Sequence, residues 1–258
     1  GLKVPLLRKL LQQVRPLMTM LPDTLPDSVV KREKLLPRSD ALVAMHFPDD
    51  RAAVDKARER LGFEELFGLL LASQLNKQEF AKLQGWQIPF DQSVVKSFVE
   101  KLPFALTGAQ RMASWEILQD FENDTPMNRL LQGDVGSGKT VVAGLAARQA
   151  AAVGFQTALL APTEILASQH AETLHKLLSP FGFTVSLLTG SVKGAARKAV
   201  YEAIANGDVD VVVGTHAIIQ EAVQFHRLGF VVIDEQHRFG VKQRQALLTK
   251  AEKMPHLL

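Results

Sequence analysis

The pattern of apolar and polar positions changes once along the chain. In the first hundred residues apolar side chains recur at helical spacing. Phe63, Leu66, Phe67, Leu70 and Leu71 fall at i, i+3, i+4, i+7 and i+8, one face of an amphipathic helix. Asp49-Asp50, just after Pro48, start a helix ahead of it, and Gly62 is expected to separate the two. A further helix is predicted over 91–102, with Asp91-Gln92-Ser93 as its start and Pro103 as its stop. The stretch 21–37 holds three prolines and reads as a connecting segment.

Beyond Pro103 a helix is predicted over 107–122, and from Asn128 strands and helices alternate. Strands are expected at 129–132, 157–161, 184–188, 209–213 and 230–233. Each is a short run rich in Val, Leu or Ile, followed by Gly, Thr or Asp and then a helical stretch. Runs that are apolar on both faces belong to strands covered by helices on both sides. The fold class is therefore α/β, a parallel doubly wound sheet preceded by an all-helical segment. The division is 1–103, a helical linker or brace without any chemical motif, and 104–258, the domain that carries the chemistry.

Composition adds exclusions. Of the 258 residues 47% are hydrophobic and 22% charged, ordinary globular usage that argues against disorder. Cysteine is absent, which removes disulfides, thiolate zinc sites and cysteine nucleophiles and fits a reducing, cytoplasmic compartment. No apolar run approaches the ~18–20 residues of a membrane helix, and no signal peptide opens the chain. Thirty basic against 27 acidic residues leave a net charge of +3, all of it before Pro103, which permits a nucleic-acid partner without requiring one. The chain starts Gly1-Leu2-Lys3 and stops on Met254-Pro255-His256-Leu257-Leu258, what looks like the start of a buried strand, so a piece of a longer protein is expected.

The strongest chemical signal is Gly133-Asp134-Val135-Gly136-Ser137-Gly138-Lys139-Thr140, a complete G-x-x-x-x-G-K-[ST] phosphate loop between a predicted strand and a predicted helix. Its glycines let successive N–H groups curl into an anion-sized nest at a helix N-terminus. Lys139 reaches the β- and γ-phosphates of a nucleoside triphosphate, and Thr140 offers its hydroxyl to Mg²⁺. The second signal is Phe230-Val231-Val232-Ile233-Asp234-Glu235-Gln236-His237, a buried strand presenting two adjacent carboxylates to the crevice that holds the phosphate loop. Asp234 is placed to hold the Mg²⁺ shell, and Glu235 to orient and deprotonate the attacking water.

Three further segments put small hydroxyl residues and free N–H groups at predicted strand ends: Pro162-Thr163-Glu164, Thr189-Gly190-Ser191 and Gly214-Thr215-His216. Each alone reads as a helix cap; in series along one sheet edge they trace a nucleic-acid backbone. His170 and His175 stand five apart, share no helix face and lack a carboxylate that would complete a zinc set. Phe104, just before Thr107 and Gln110, is the aromatic singled out from those that read as core.

In this order the segments resemble helicase superfamily two. Leu106-Thr107 with Gln110 is similar to its adenine-reading motif, and Gly133 to Thr140 to motif I. Pro162-Thr163-Glu164, Thr189-Gly190-Ser191 and Gly214-Thr215-His216 resemble motifs Ia, Ib and Ic, and Asp234-Glu235-Gln236-His237 motif II. Pro103 to Gln110, the phosphate loop and Asp234-Glu235-Gln236-His237-Arg238-Phe239-Gly240-Val241 narrow the resemblance to the bacterial RecG family of branched-DNA helicases. His46-Phe47-Pro48 and the run from Ala57 to Leu66 resemble that family's helical segment before its first motor lobe. The transcription-repair coupling factors share much of this, with Asp-Glu-Glu-His where Gln236 stands here.

The resemblance implies a RecA-like P-loop lobe, ATP and Mg²⁺ as cofactors, and a nucleoid-associated monomer acting on branched double-stranded DNA, meaning forks and Holliday junctions. Phe104, Thr107, Gln110, Gln236 and His237 would join the phosphate loop at the nucleotide, with Lys139, Asp234 and Glu235 catalytic. Pro162, Thr163, Glu164, Thr189, Gly190, Ser191, Thr215 and His216 would meet DNA. It also implies a wedge domain before Gly1, and a second motor lobe after Leu258 whose arginine completes the site. Turnover by this chain alone is then expected to be negligible, since such an arginine is worth ~10³–10⁵ in rate. A GTPase base reader and a transporter-ATPase signature are both absent. A non-hydrolysing nucleotide- or DNA-binding module remains the alternative for the chain by itself.

Overall fold

Local capping chemistry and apolar periodicity account for most of the elements. The computed structural model describes residues 4–258; Gly1-Leu2-Lys3 lie outside the described residues. Contacts divide the chain into two units, one ending at Glu79 and the other Phe80–Leu258.

The first unit holds α1 (Val4–Met18), α2 (Asp27–Arg32), α3 (Arg38–His46) and α4 (Arg51–Ala81), whose last residues cross the boundary. The connecting stretch 21–37 contains the short α2. The break expected at Gly62 does not occur, since α4 runs straight through it. An interior glycine costs about 1 kcal/mol relative to alanine, too little to stop a helix flanked by Ala, Arg, Glu and Leu. The helix is present, but the apolar face expected on it is not buried: Leu66, Leu70 and Leu71 are exposed, and Phe63 stacks on Phe67 at 6.2 Å. What fixes this unit is polar. The buried Arg60 guanidinium lies 2.5 Å from Asp23 Oδ1 and 2.8 Å from Glu64 Oε2, and Asp23 also accepts from the N–H groups of Leu25 and Arg38.

In the second unit the elements are α5 (Gln92–Lys101), α6 (Gly108–Phe121), α7 (Lys139–Ala152), β1 (Gln156–Leu160), α8 (Glu164–Leu178), β2 (Val185–Leu188), α9 (Gly194–Asn206), β3 (Val211–Gly214), β4 (Leu228–Ile233), α10 (Val241–Leu248) and β5 (His256–Leu257). The sequence puts the division at Pro103, whereas the contacts put it 24 residues earlier. The reason is that α5 packs on α7, and the stretch before α5 is laced into the second unit: Gly85 N–H donates to Asp124 O and Ile88 N–H to Phe121 O, both at 2.7 Å.

The caps agree with the residue types. Asp91 Oδ1 accepts from the N–H groups of Ser93 and Val94 at the head of α5. Thr107 and Gln110 form a reciprocal capping box at the head of α6. The strands form one parallel sheet in the order β2-β3-β1-β4-β5. Alternate residues feed two cores. Leu159, Val211, Val213 and Phe230 join the side chains of α5 to α8 on one face, while Ala158, Leu160, Val212 and Val231 join Ile204, Ile218 and Leu247 on the other. Burial on both faces is what a doubly wound sheet requires.

One expected strand is missing. Among the described residues the run 129–132 is tied to the sheet at its start, where Asn128 bridges Leu257 and Arg129 N–H donates to Leu257 O at 3.0 Å. Strand formation needs a partner backbone, and β5 pairs over only His256–Leu257. The apolar content of the run was legible, its pairing was not.

Candidate nucleotide site

In a parallel sheet all strand C-termini lie on one edge, so the turns after β1, β2, β3 and β4 share that edge with the N-terminus of α7. The phosphate loop leads directly into α7. Ser137 N–H donates to Asp134 O at 3.1 Å, and Gly136 (φ +80°) and Gly138 (φ +82°) take the left-handed conformation that opens the nest. Val135 at the tip is fully exposed. Lys139 Nζ bends back over the loop to the carbonyls of Gly133 (2.7 Å) and Asp134 (3.0 Å). Gln110 couples the loop to α6: its Nε2 donates to Ser137 O at 2.8 Å, and its Oε1 accepts from Thr107 N–H at 2.9 Å.

Beside the loop lies a cleft of about 520 Å³. Gly133, Lys139, Thr140, Asp234, Glu235, Gln236 and His237, separated by up to 104 residues of chain, all line it. Asp234 follows β4, and its N–H donates to Leu160 O at the end of β1 at 2.9 Å, so the β1–β4 pairing sets where its carboxylate stands. Glu235 has φ +51° and ψ 52°, a left-handed conformation that costs a non-glycine residue of order 1–3 kcal/mol and clusters at functional sites. Its carboxylate is half-exposed, with His237 Nδ1 3.4 Å from Oε2.

His170 and Arg244 also line the cleft, and sequence reasoning passed over both for this site. His170 Nε2 is 2.9 Å from Asp234 Oδ2. That imidazole holds the Asp234 carboxyl below the ordinary carboxylate range; partial burial opposes the shift, and Lys139 adds to it. Arg244 Nη1 donates to Gln236 Oε1 at 3.3 Å. Neither meeting has a local signature, because each is set by tertiary packing.

The residues fit a Mg²⁺–nucleoside triphosphate. One hydroxyl and one held carboxylate offer the hard-oxygen ligands, and the loop's N–H donors suit the phosphates, the combination Mg²⁺ uses in place of an all-protein cage. No cluster of three His, Asp or Glu able to hold a metal occurs among the described residues.

The strand-end segments are only partly brought to a common surface. Thr163 Oγ1 caps α8 by accepting from Leu166 N–H, and Glu164 Oε1 accepts from Ser191 N–H at 3.2 Å, which joins the turns after β1 and β2. Thr163, Glu164, Ser191 and His216 are exposed, and Pro162 and Gly190 are half-buried. Thr189 and Thr215, at 1% and 4% exposure, are not at the surface. The Thr189 hydroxyl is taken up by Ser191 Oγ at 2.7 Å, and Thr215 Oγ1 lies in the core. Phe104 is half-exposed and lines a separate hollow with Phe98, Lys101 and Phe181, away from the loop cleft.

Comparisons with known proteins agree with this geometry. A family model described as DEAD/DEAH box helicase matches residues 107–257. The chain is similar along its whole length to the ATP-dependent DNA helicase RecG of Thermotoga maritima, at 46% identity over 33% of that protein. It is 45% identical to RecG of Bacillus subtilis, covering 96% of this chain and 37% of the relative. The solved structure of RecG bound to a three-way DNA junction superposes with a TM-score of 0.81 at 43% identity, over all of this chain and 35% of that one. The helicase MrfA shares the fold alone, at 19% identity and a TM-score of 0.52. The chain spans about a third of the length of the curated relatives it matches. Its sheet is the RecA-like lobe of a helicase, and the chain belongs to the DEAD/DEAH box helicase family.

Proposed function

We propose that this chain is the first motor lobe, with its preceding helical segment, of an ATP-driven translocase that acts on branched double-stranded DNA such as forks and Holliday junctions. The observation that carries the reading is the convergence of Lys139, Thr140, Asp234 and Glu235 on one cleft, with exposed strand-end turns along the same sheet edge. Likeness to RecG at 43–47% identity, over 90–100% of the chain, supports branched DNA over other helicase substrates. Gln236 in Asp-Glu-Gln-His supports it over a coupling-factor motor.

In this reading the loop N–H groups and Lys139 bind and orient the triphosphate, and Thr140 and Asp234 hold its Mg²⁺. Bound Mg²⁺ neutralises charge on the phosphate oxygens. Glu235 takes a proton from the attacking water; its left-handed backbone aims it into the cleft mouth. Gln110 sits against the loop, where it can report adenine occupancy to it. Exposed Thr163, Ser191 and His216 track a DNA backbone. The protein works as a nucleoid-associated monomer. The cation opposite the γ-phosphate comes from a second lobe, so this chain alone binds ATP with negligible turnover.

The test is phosphate release from Mg²⁺–ATP, with and without forked DNA, beside Lys139→Ala. This chain is expected to bind a fluorescent ATP analogue yet release no phosphate above that control. In a protein of the relatives' full length carrying this sequence, hydrolysis is expected to rise with forked DNA, and Glu235→Gln to abolish unwinding while nucleotide binding survives. DNA-stimulated release by this chain alone overturns the two-lobe reading, and unwinding by Glu235→Gln overturns the base assignment.

A further inference from the structure

We propose that His170 is a positioning residue of the nucleotide site: from the second turn of α8 its Nε2–H holds the Asp234 carboxylate in the orientation that receives Mg²⁺–ATP. This rests on the reading of Asp234 as the carboxylate of a Mg²⁺–nucleotide site and goes beyond it.

The geometry comes from the fold. Ala167, Leu174 and Leu178 mark the buried face of α8. His170 lies three residues after Ala167 and four before Leu174, on the same stripe, where periodicity calls for an apolar side chain. Its side chain is 18% exposed. A histidine in that place has lost most of its water, and a desolvated polar group is costly unless paired. Asp234 supplies the partner at 2.9 Å.

The carboxylate is held from two sides. Its backbone N–H is bonded to Leu160 O at the end of β1, and its side chain is bonded to the helix that β1 feeds. Asp χ2 is a broad, nearly two-fold torsion, so without the imidazole nothing on α8 selects one orientation. Partners that hydrogen-bond a metal-binding carboxylate fix its orientation, and removing them costs about 10–100-fold in metal affinity.

The experiment measures binding of a fluorescent ATP analogue in Mg²⁺ and in EDTA. It uses wild type, His170→Leu, which keeps bulk and removes the donor, and His170→Gln, which restores an N–H donor. Wild type is expected to bind more tightly with Mg²⁺. His170→Leu should lose about 10–100-fold of affinity in Mg²⁺ and stay within about twofold of wild type in EDTA, with His170→Gln recovering most of the loss. His170→Leu that keeps the wild-type gain from Mg²⁺ overturns the proposal, and so does an equal loss in EDTA, which marks a packing role only. Melting in EDTA without nucleotide checks folding; should His170→Leu not fold, His170→Asn, whose amide is shorter than the imidazole, takes its place against the same criteria. A wild type with no gain from Mg²⁺ overturns the metal reading itself, and that is seen before any variant is compared.

Discussion

Gly138→Ala is the sharpest test of how the phosphate loop is held. Gly138 sits at φ +82° and ψ 26°, and a methyl group added there would lie 2.3 Å from Gln110 Nε2. Two costs follow. The left-handed conformation costs an L-residue about 1–2 kcal/mol. Pushing Gln110 aside forfeits its bond to Ser137 O, about 1 kcal/mol net. Together, about 2–3 kcal/mol separates the loop from its nucleotide-receiving shape, which corresponds to roughly 30–140-fold weaker binding at 1.4 kcal/mol per decade.

The loop is exposed, so it relaxes locally and the melting temperature should hardly move. The assay is titration with a fluorescent ATP analogue in Mg²⁺, run as a double-mutant cycle with Gln110→Ala. Gln110→Ala alone should cost about 1 kcal/mol. In the double variant the clash has no target and the bond is already gone, so the pair should bind no more weakly than Gly138→Ala alone, a coupling of about 1 kcal/mol. Gly138→Ala within threefold of wild type, or strictly additive losses, would refute the argument.

Phe230→Ala removes a buried ring set edge-on to Phe121 at 5.1 Å; a loss of about 3–5 kcal/mol is expected. At about 2–4 °C per kcal/mol the melting temperature should fall by roughly 6–20 °C, and a fall below about 3 °C counts against the two-core description. Two glycines should respond in opposite directions: at Gly214 an added methyl lies 1.9 Å from Leu188 O and should split β2 from β3, whereas Gly62→Ala meets nothing within 4 Å and should stabilise α4 by up to about 1 kcal/mol, both read by thermal melting. Burial pushes the His256 imidazole below its usual 6.5, and Nδ1 accepts from Met127 N–H at 3.0 Å, so the folded state keeps it neutral. Its stabilising contribution is fully present above pH 6.5 and declines as pH falls below that value, because the unfolded chain takes the proton first. Melting from about pH 8 to about pH 5 should fall less steeply for His256→Gln than for wild type, and equal slopes refute the assignment.

Much of this was legible from residues whose partners are close in sequence. Asp91 caps α5 and Thr107 with Gln110 boxes α6 because the bonds span two or three residues. The phosphate loop is contiguous, and its glycine torsions follow from the spacing. Gly62 misled because one residue's propensity was weighed without the sum of its neighbours. Residues 129–132 misled because a strand exists only by virtue of another backbone. Thr189 and Thr215 were grouped with the surface by residue type, although the sheet buries their side chains. In sequence His170 reads only as a histidine that completes no zinc set with His175; its actual partner lies 64 residues on, delivered by the β1–β4 pairing.

The last residues of the chain fasten distant segments together. Met254 N–H donates to Gln84 O, His256 Nε2 bonds Trp86 O at 2.6 Å, and Leu257 donates its N–H to Met127 O and accepts from Arg129 N–H, on either side of Asn128. The His256 bonds span 129 and 170 residues. Contacts of such separation form late, because loop closure must precede any gain from them. A chain leaving the ribosome therefore carries every residue of the phosphate loop long before the floor under that loop is anchored. The order of synthesis thus becomes an order of competence: the loop is written at mid-chain, and its support is completed only when His256 and Leu257 arrive.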